Sequence, residues 1–443
     1  MNARELAIKV LSRVDSTDAY LNVVLDHELG AAALNDHRDA ALCTELCYGA
    51  TRRMMALDYA IERFSDRGMD KIEIRVRAAL RLGAYQLFHM RIPSRAAVGE
   101  TVEALKKVGL ERAAGFVNAI LRKLAGVVDR GEGPPLPPAE PLDVHLSVRE
   151  SHPLWLVRRW MRQFGPTRAE SMLQAGNVAA PVVIRVNSAK TTRDELAEQL
   201  REAGIECERT RFSPVGLVLP RVGKVEDVLG YSEGLWQVQD EAAQLVGVFA
   251  AVPEGAKVLD ACAAPGGKAC HLAERHEVVA LDLHANKLRK IEVEARRLGL
   301  SERMRTIAHD AQQPIPEALG EFDVVMVDAP CTGLGTLRRH PELRYRRKED
   351  DIHRLAGLQR NILESCQQVV APGGLLVYAV CSVDTEEGAD QVEMFLRSHP
   401  EFTAEPPRLP EGVEVPTWQA YLRTLPGPEG LDGFFCARLR KLY

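Results

Sequence analysis

The chain has 443 residues, enough for two or three domains that each bury a core of their own. With 46% hydrophobic and 27% charged residues it has the composition of a globular protein, and its net charge of −5 gives no overall sign of nucleic-acid binding. Residues 1–6 do not resemble a secretory signal and no apolar run approaches the roughly 20 residues that span a bilayer, so we expect a cytoplasmic protein without a membrane partner.

Nine cysteines, an odd number, are spread from Cys43 to Cys436. In a long intracellular chain this pattern predicts reduced thiols rather than a disulfide framework. Cys43 and Cys47 lie four residues apart, but no second Cys/His pair follows at the spacing of a zinc finger. We therefore expect no metal site.

Residues 1–128 are predicted to form an all-α bundle, because apolar residues recur at helical spacing, as between Val76 and Leu87, without strand-like alternation. From Arg52 to Lys123 there are 15 Lys/Arg and 8 Asp/Glu residues. Such a local excess is often only a solvated face. It gains meaning where it flanks a site that needs phosphate contacts.

A proline-rich linker is predicted at 129–141, because its five prolines remove amide donors and disfavour a helix. The next region, 142–222, is predicted to be a small α+β unit. Its expected elements are a helix over 155–175, a strand over 182–187, a helix over 193–203 and a strand over 216–219.

The segment 223–443 is predicted to be an α/β domain with a mostly parallel, doubly wound, Rossmann-like sheet, because short apolar runs alternate with amphipathic stretches. The expected strands cover 258–260, 278–283, 304–308, 322–327 and 375–380. The expected helices cover about 267–275, 284–298, 349–370 and 386–397.

The turn after the first of these strands has the composition of a ligand-binding turn. It reads Asp260-Ala-Cys-Ala-Ala-Pro-Gly-Gly-Lys268, and its small residues and glycines let a ligand approach the backbone. The spacing is neither that of dinucleotide binders nor that of a phosphate-cradling loop, and a carboxylate would suit the following helix start. The predicted cofactor-binding residues here are Cys262, Ala263, Ala264, Pro265, Gly266, Gly267 and Lys268.

Aspartates follow the next three strands. Asp282 is placed to accept hydrogen bonds from two ribose hydroxyls, Asp310 to take the exocyclic amine of adenine, and Asp328 ends the fourth strand. Each alone is more often a helix cap or turn residue. Together they predict a nucleoside pocket, and adenosine with an amino-acid tail describes S-adenosylmethionine.

Two cysteines follow neighbouring strands, Cys331 after the fourth and Cys381 after the fifth. A buried cysteine is commonly just a small hydrophobe, but two at the expected cofactor edge indicate chemistry. Carbon 5 of cytosine is a poor nucleophile until a thiolate adds to carbon 6 and makes the ring an enamine. Asp328 could then protonate or hydrogen-bond the ring nitrogen.

These motifs resemble those of the RNA cytosine-5 methyltransferases of the NOL1/NOP2/Sun family. The matching segments are 260–268, 328–333, 381–382, 239–242, 338–342 and 432–435. The resemblance implies a class I methyltransferase domain in which Cys381 is the nucleophile, Cys331 assists product release and Lys268 holds catalytic groups in place. Val380 and Thr332 stand where the family usually has Thr and Ser, and neither change removes a reactive group.

The first 128 residues resemble helical RNA-binding domains of the NusB type, for example in Asn118–Arg122. This layout is similar to that of family members that act on 16S ribosomal RNA, and it implies 16S ribosomal RNA rather than DNA as the partner. The resemblance also implies that 142–222 helps to cradle RNA. A scaffold role without RNA contact stays open for the bundle, and we expect a monomer because the architecture demands no partner chain.

A second basic run, 338–348, contains six Lys/Arg residues and one acid, Glu342. We expect it to grip phosphate beside the target base. The predicted RNA-binding residues are Arg338, Arg339, His340 and Arg344.

Two other functions must be weighed. A DNA cytosine-5 methyltransferase would use the cysteine of its Pro-Cys motif, here Cys331, and would normally lack the cysteine at Cys381. A non-enzymatic RNA-binding regulator would carry a vestigial cofactor fold. The presence of both cysteines and of Asp282, Asp310 and Asp328 argues against both.

Overall fold

We analysed a computed structural model that describes residues 1–32, 36–220, 222–407, 409 and 411–443. The chain forms two compact units. One contains 1–179 and 337–347, and the other contains 180–336 and 348–443. We call Leu337–Arg347 the arginine segment, since the chain enters the first unit there before it returns to the second. The boundary at 179/180 lies inside the predicted 142–222 region, and the four predicted domain ranges stay predictions.

Helices dominate the first unit, and both units together carry seventeen α-helices in the described part of the chain. In chain order they are α1 Ala3–Ser16, α2 Leu21–Ala32, α3 His37–Arg52, α4 Met54–Glu62, α5 Ile74–His89, α6 Ser94–Lys107, α7 Ala114–Asp129, α8 Leu142–Arg149, α9 Leu154–Phe164, α10 Pro166–Ala175, α11 Arg193–Glu202, α12 Glu241–Ala250, α13 Gly267–Ala273, α14 Ala285–Leu298, α15 Leu343–Arg346, α16 Glu349–Cys366 and α17 Ala389–Ser398. Within the described ranges, none is long and apolar enough to cross a membrane.

In the part of the chain that the structure describes, all the strands lie in the second unit. They are β1 Val182–Val186, β2 Glu208–Arg209, β3 Gly216–Leu219, β4 Trp236–Val238, β5 Lys257–Asp260, β6 Glu277–Asp282, β7 Met304–Ala308, β8 Phe322–Asp328, β9 Val370–Val380, β10 Phe402–Ala404, β11 Thr417–Trp418, β12 Tyr421–Thr424 and β13 Phe434–Lys441. They form two sheets, one small and antiparallel and one large and mixed.

The predicted all-α bundle is confirmed. Its core is one apolar cluster in which Leu6, Leu46, Leu80 and Leu121 are fully buried. The single helix predicted over 155–175 is instead two helices, α9 and α10. The break occurs at Gly165, whose positive φ of 78° ends α9, and Pro166 begins the next helix.

The small α+β region is also confirmed. Its sheet has the order β2-β3-β1-β4 and is antiparallel throughout. Helix α11 begins with a capping box, in which Thr192 and Glu195 satisfy each other's backbone amides. Its buried Leu196 and Leu200 share a core with Trp236. Strands β2 and β4 were not predicted, because two or three residues are too short for an alternation to register.

The large sheet has the order β11-β12-β13-β9-β8-β5-β6-β7, with β10 beside β13. Strands β5 to β9 are parallel to one another, which confirms the predicted doubly wound core. Strand β13 runs antiparallel to β9 and extends the sheet with β10, β11 and β12. The sequence analysis used residues 432–435 only as a motif and did not predict this antiparallel half.

Both faces of the central strands β5, β8 and β9 are largely buried, which is why these strands read as mostly apolar runs. Along β8, Val324 and Met326 face a core shared with α12, α13 and α14, while Val325 and Val327 face the core shared with α16 and α17. The order of the strands reverses at β5, which lies between β6 and β8. Ligands of such sheets bind at the carboxyl ends of the strands near this reversal.

Candidate active site

The predicted site residues come from one edge of the large sheet. Asp260 ends β5, Asp282 ends β6 and Asp328 ends β8, and these parallel strands present their carboxyl ends on the same side. Asp310 lies two residues beyond the end of β7. Cys331 and Cys381 lie in the turns that follow β8 and β9.

The two cysteines are in direct contact. The Sγ atoms of Cys331 and Cys381 are 3.2 Å apart, and both residues are free thiols that are only partly buried. The contact with Cys381, followed by burial, raises the pKa of Cys331 well above its ordinary value, and the charge of Glu387 adds to the effect. Cys331 is therefore a protonated thiol at neutral pH, placed beside a second sulfur.

A buried cation lies beside this pair. Lys268 Nζ is 2.6 Å from Asp328 Oδ2, and the two side chains are 11% and 23% exposed. Burial opposes the charge on Lys268, but the carboxylate of Asp328 outweighs it and raises the pKa of Lys268, and a thiolate at Cys381 acts in the same direction. The ammonium also lies 5.3 Å from the centre of the Phe434 ring. Lys268 thus stays charged in a partly dry site.

Asp260 has an unsatisfied oxygen. The residue is fully buried, its Oδ1 accepts from the Cys262 amide at 3.4 Å, and its Oδ2 has no hydrogen-bond partner among the described residues. Burial, and then the nearby charge of Asp328, raises the pKa of Asp260 to about 7. The sequence analysis quoted Asp260 in its motif but gave it no role, since a buried carboxyl cannot be recognised from residue type alone.

The turn from Cys262 to Gly267 is shaped by backbone geometry. The amide of Ala263 donates to the Leu281 carbonyl at 2.7 Å, which holds the turn against β6. Gly266 has a φ of 105°, and a Cβ there would lie 3.1 Å from Ile291. Only glycine meets both conditions without strain. The turn therefore keeps an open backbone between β5 and α13.

Asp282 and Asp310 each use one carboxylate oxygen locally. Asp282 Oδ1 accepts from the His284 amide at 2.9 Å, and Asp310 Oδ1 accepts from the Gln312 amide at 3.1 Å. Both residues are partly exposed, and in the described part of the chain their second oxygens have no protein donor. The turn-stabilising role and a ligand-binding role are therefore compatible.

A buried ion pair supports the turn, and the sequence analysis missed it. Arg185 on β1 lies 2.9 Å from Glu274, and both side chains are almost completely buried. The same guanidinium donates to the Gly267 carbonyl at 2.7 Å and to Gln239. An arginine inside the apolar run of β1 was the available signal, but only the fold supplies its partners. Arg185 therefore ties the small sheet to the first residue of α13.

The arginine segment requires a correction. Arg344 is fully buried, and its two terminal nitrogens donate to a set of acceptors within the first unit: the carbonyls of Arg52, Ser151, Gly176 and Leu337 and the amide oxygen of Asn177. Burial lowers its pKa to about 10. With no exposed N–H group, Arg344 cannot contact phosphate, so its predicted RNA-binding role is wrong and its role is internal.

The other members of this segment are also largely packed. Arg338 is only 6% exposed, and its carbonyl accepts from Arg52. His340 has its pKa lowered by burial and packs edge-on against Tyr20 at 5.4 Å. Arg339 is half-buried. Accessible phosphate contacts therefore stay a prediction mainly for Arg339.

Two further residues of the segment cap helices of the first unit. Glu342 accepts from the Leu21 amide at the start of α2. Arg346 donates to the Val14 carbonyl at the end of α1 and to carbonyls of the turn that follows it. Free amides begin helices and free carbonyls end them, so a carboxylate and a guanidinium are suitable caps. The charge pattern here serves packing.

Comparison with known families accounts for nearly the whole chain. Residues 248–440 match the family of the 16S rRNA methyltransferase RsmB/F. Residues 1–126 match the NusB family, and residues 152–226 match the ferredoxin-like domain of RsmF/B-like methyltransferases. The first match covers the large sheet and both cysteines.

Individual proteins agree with this. A probable ribosomal RNA small subunit methyltransferase B of Bacillus subtilis is 35% identical over 99% of both chains. The crystal structure of PH0851 has a TM-score of 0.83 at 25% identity and covers 100% of this chain and 99% of its own. NSun6 from Pyrococcus horikoshii, at 21% identity, shares the fold over 66% of this chain and 99% of its own, with a TM-score of 0.59. The protein belongs to the ribosomal RNA small subunit methyltransferase B family.

Proposed function

We propose that the protein methylates carbon 5 of a cytosine in 16S ribosomal RNA, with S-adenosylmethionine as the methyl donor and Cys381 as a covalent nucleophile. Membership of the family gives methylation of ribosomal RNA. The finer assignment is carried by one observation, the 3.2 Å contact between Cys331 and Cys381 at the sheet edge where Lys268 and Asp328 meet. Methyl transfer to an oxygen or nitrogen atom does not need a pair of thiols in contact.

The residues present fit the methyl donor. Asp282 and Asp310 each keep an oxygen for a ribose or an adenine amine, and the turn through Gly266 lets a ligand approach the backbone. The related NSun6 structure was solved with the ligand SFG. When bound, S-adenosylmethionine supplies the electrophilic sulfonium methyl group that carbon 5 takes.

The protein's own groups make the base reactive. The sulfur of Cys381 adds as a thiolate to carbon 6 of the cytosine, and the ammonium of Lys268 interacts with this residue. Asp328, in its protonated form, donates a hydrogen bond to the ring nitrogen as negative charge builds there. After methylation, water takes the proton from carbon 5 as the bond from sulfur to carbon 6 breaks, which restores the ring and frees Cys381. Cys331, 3.2 Å away, assists this release.

The substrate follows from chemistry and from the N-terminal unit. A thiol can reach carbon 6 only if the cytosine is unpaired or flipped out of its stack. The NusB-like bundle, with its local excess of basic residues, is suited to RNA and holds the chain on the ribosomal substrate. The monomeric state, the absence of DNA as a substrate and the cytoplasmic location stay predictions.

Two cysteine variants test the assignment. We expect Cys381→Ala to abolish methyl transfer, whereas Cys331→Ala should accumulate a protein–RNA adduct that survives denaturing electrophoresis, because the nucleophile attacks but is not released. Cys207→Ala, a partly buried cysteine of the small domain, is the control and should remain active. Adducts formed through Cys331 in the Cys381→Ala variant would refute the assignment and favour the DNA-type mechanism.

The position of the methyl group needs a separate measurement. Bisulfite sequencing of 16S ribosomal RNA, from cells with and without the gene, should show one or more protected cytosines only when the gene is present. An identical protection pattern in both strains would contradict methylation at carbon 5. The same experiment would identify the target nucleotide.

A further inference from the structure

A buried carboxylate lies close to the two cysteines but has no part in the mechanism above. Glu387, in the turn between β9 and α17, has no exposed surface. Its Oε1 accepts from the Thr332 amide at 2.8 Å, and its Oε2 accepts from the Thr332 hydroxyl. The Ser382 hydroxyl also donates to it. Burial raises the pKa of Glu387, whereas the hydrogen bonds donated by Ser382 and Thr332 lower it and favour its carboxylate form.

These contacts join the two cysteine-bearing turns. Thr332 follows Cys331 directly, and Ser382 follows Cys381 directly. The Thr332 and Ser382 hydroxyls lie 3.4 Å apart, and both donate to the Glu387 carboxylate. This carboxylate therefore connects the residue after Cys331 with the residue after Cys381. The spacing of the thiols therefore depends on Glu387.

Residues of helix α16 and strand β9 also hold Glu387 through hydrogen bonds. Gln359 Nε2 donates to Glu387 Oε1 at 3.2 Å and to the Pro330 carbonyl at 2.9 Å, next to Cys331. The single proton of the Tyr378 hydroxyl is shared between two acceptors, the Glu387 carbonyl and, at 3.1 Å, Gln359 Oε1. A network in which every member is satisfied is rigid, whereas one missing partner leaves a costly buried group.

The charges around the two sulfurs differ. Glu387 accepts from the Thr332 amide, next to Cys331, and its charge is one of the causes that raise the pKa of Cys331. The charge of Lys268 interacts with Cys381. A thiolate next to a cation is favoured and one next to an anion is disfavoured.

We propose that Glu387 is a positioning residue that holds both cysteine turns in register and reserves the thiolate for Cys381 by placing a negative charge next to Cys331. The inference rests on the proposed function, because it explains why Cys381 and not Cys331 attacks the base. It differs from a purely structural role in one respect. Loss of the charge alone, with the shape kept, must change which thiol reacts.

The test is Glu387→Gln, which keeps the shape and can still accept from the Thr332 amide. Glu386→Gln is the matched control, since Glu386 is 30% exposed and pairs with His353 at 2.7 Å. Alkylation of each cysteine is followed by mass spectrometry from about pH 6 to about pH 10, without RNA. In Glu387→Gln, the pH profile of Cys331 alkylation should move down by about one unit. The control should react like the wild type.

Two further results decide the proposal. With RNA, Glu387→Gln should form some adduct through Cys331 and should transfer methyl at least tenfold more slowly than the control. Thr332→Val, which removes one donor and leaves the carboxylate, should slow transfer without moving the Cys331 profile. An unchanged Cys331 profile in a folded Glu387→Gln protein would overturn the proposal. The alkylation experiment needs no methyl transfer, so its outcome is separate from that of the Cys381→Ala test.

Discussion

The cysteine edge of the large sheet and the arginine segment were both singled out by charged or reactive residues, but they use these residues in opposite ways. At the cysteine edge, Lys268 and Asp328 are partly exposed, and Asp260 has an oxygen without a partner. In the arginine segment, both terminal nitrogens of Arg344 are bound to carbonyl groups inside the first unit. The charged groups at the cysteine edge remain partly accessible to a ligand, whereas Arg338 and Arg344 of the arginine segment are buried against the protein's own groups.

The largest effect is expected at the cysteine edge. Lys268→Met should lower the rate of methyl transfer by about 10²- to 10⁴-fold, because the buried cation that stabilises the thiolate and Asp328 is lost. The measurement is single-turnover transfer at saturating S-adenosylmethionine. Lys257→Met, whose ammonium lies over the Phe322 ring at the opposite end of β5, is the control. An unchanged rate in Lys268→Met would contradict a role of the cysteine edge in methyl transfer.

The second prediction concerns the arginine segment. Arg344→Met should lower the free energy of unfolding by about 3 kcal/mol, because several carbonyl groups lose their buried donor. Arg339→Met, at a half-buried neighbour, should cost much less. Urea denaturation of the two variants measures the difference. If both variants unfold at the same urea concentration, the packing role of Arg344 is contradicted.

A third prediction uses the raised pKa of Asp260. Its ordinary pKa is 3.8 and its folded-state pKa is about 7, so the folded protein binds a proton that the unfolded chain releases. The stability contributed by this proton is present below about pH 4 and is lost as the pH rises through 7. Asp260→Asn should therefore gain stability over the wild type, on the order of 2 kcal/mol, as the pH rises to 8. Parallel thermal-stability profiles of the two proteins would contradict the prediction.

The smallest effect is expected for RNA binding through the arginine segment. Arg339→Gln should weaken 16S ribosomal RNA binding only a few-fold and lower the slope of log K against log salt by about one, as for the loss of one phosphate contact. Arg397→Gln, a loss of one exposed charge in the last turn of α17, serves as the control. An identical salt slope in wild type and Arg339→Gln would show that this segment packs and does not bind RNA.

Features that repeat locally could be predicted from the sequence. The parallel strands were found because each is a continuous apolar run, and the site followed because parallel strands place their carboxyl ends at one edge. Features that depend on distant partners could not. Arg344 lies 292 residues from Arg52, and Glu387 lies 55 residues from Thr332. The hydrophobic periodicity of a helix or strand does not indicate pairs of residues so far apart in the sequence. The antiparallel strand β13 was missed for the same reason, since its meaning depends on β9.

The position of β9 within its sheet affects how rarely the backbone next to the candidate site opens. Its backbone is hydrogen-bonded to β8 on one side and to β13 on the other, and residues 375–380 are buried. Amide protons held in this way exchange with solvent only when a whole cooperative unit opens. Deuterium uptake should therefore be slowest in the strand that leads to Cys381. The proposed nucleophile, Cys381, follows this strand directly, so we expect local fluctuations elsewhere to leave its position unchanged.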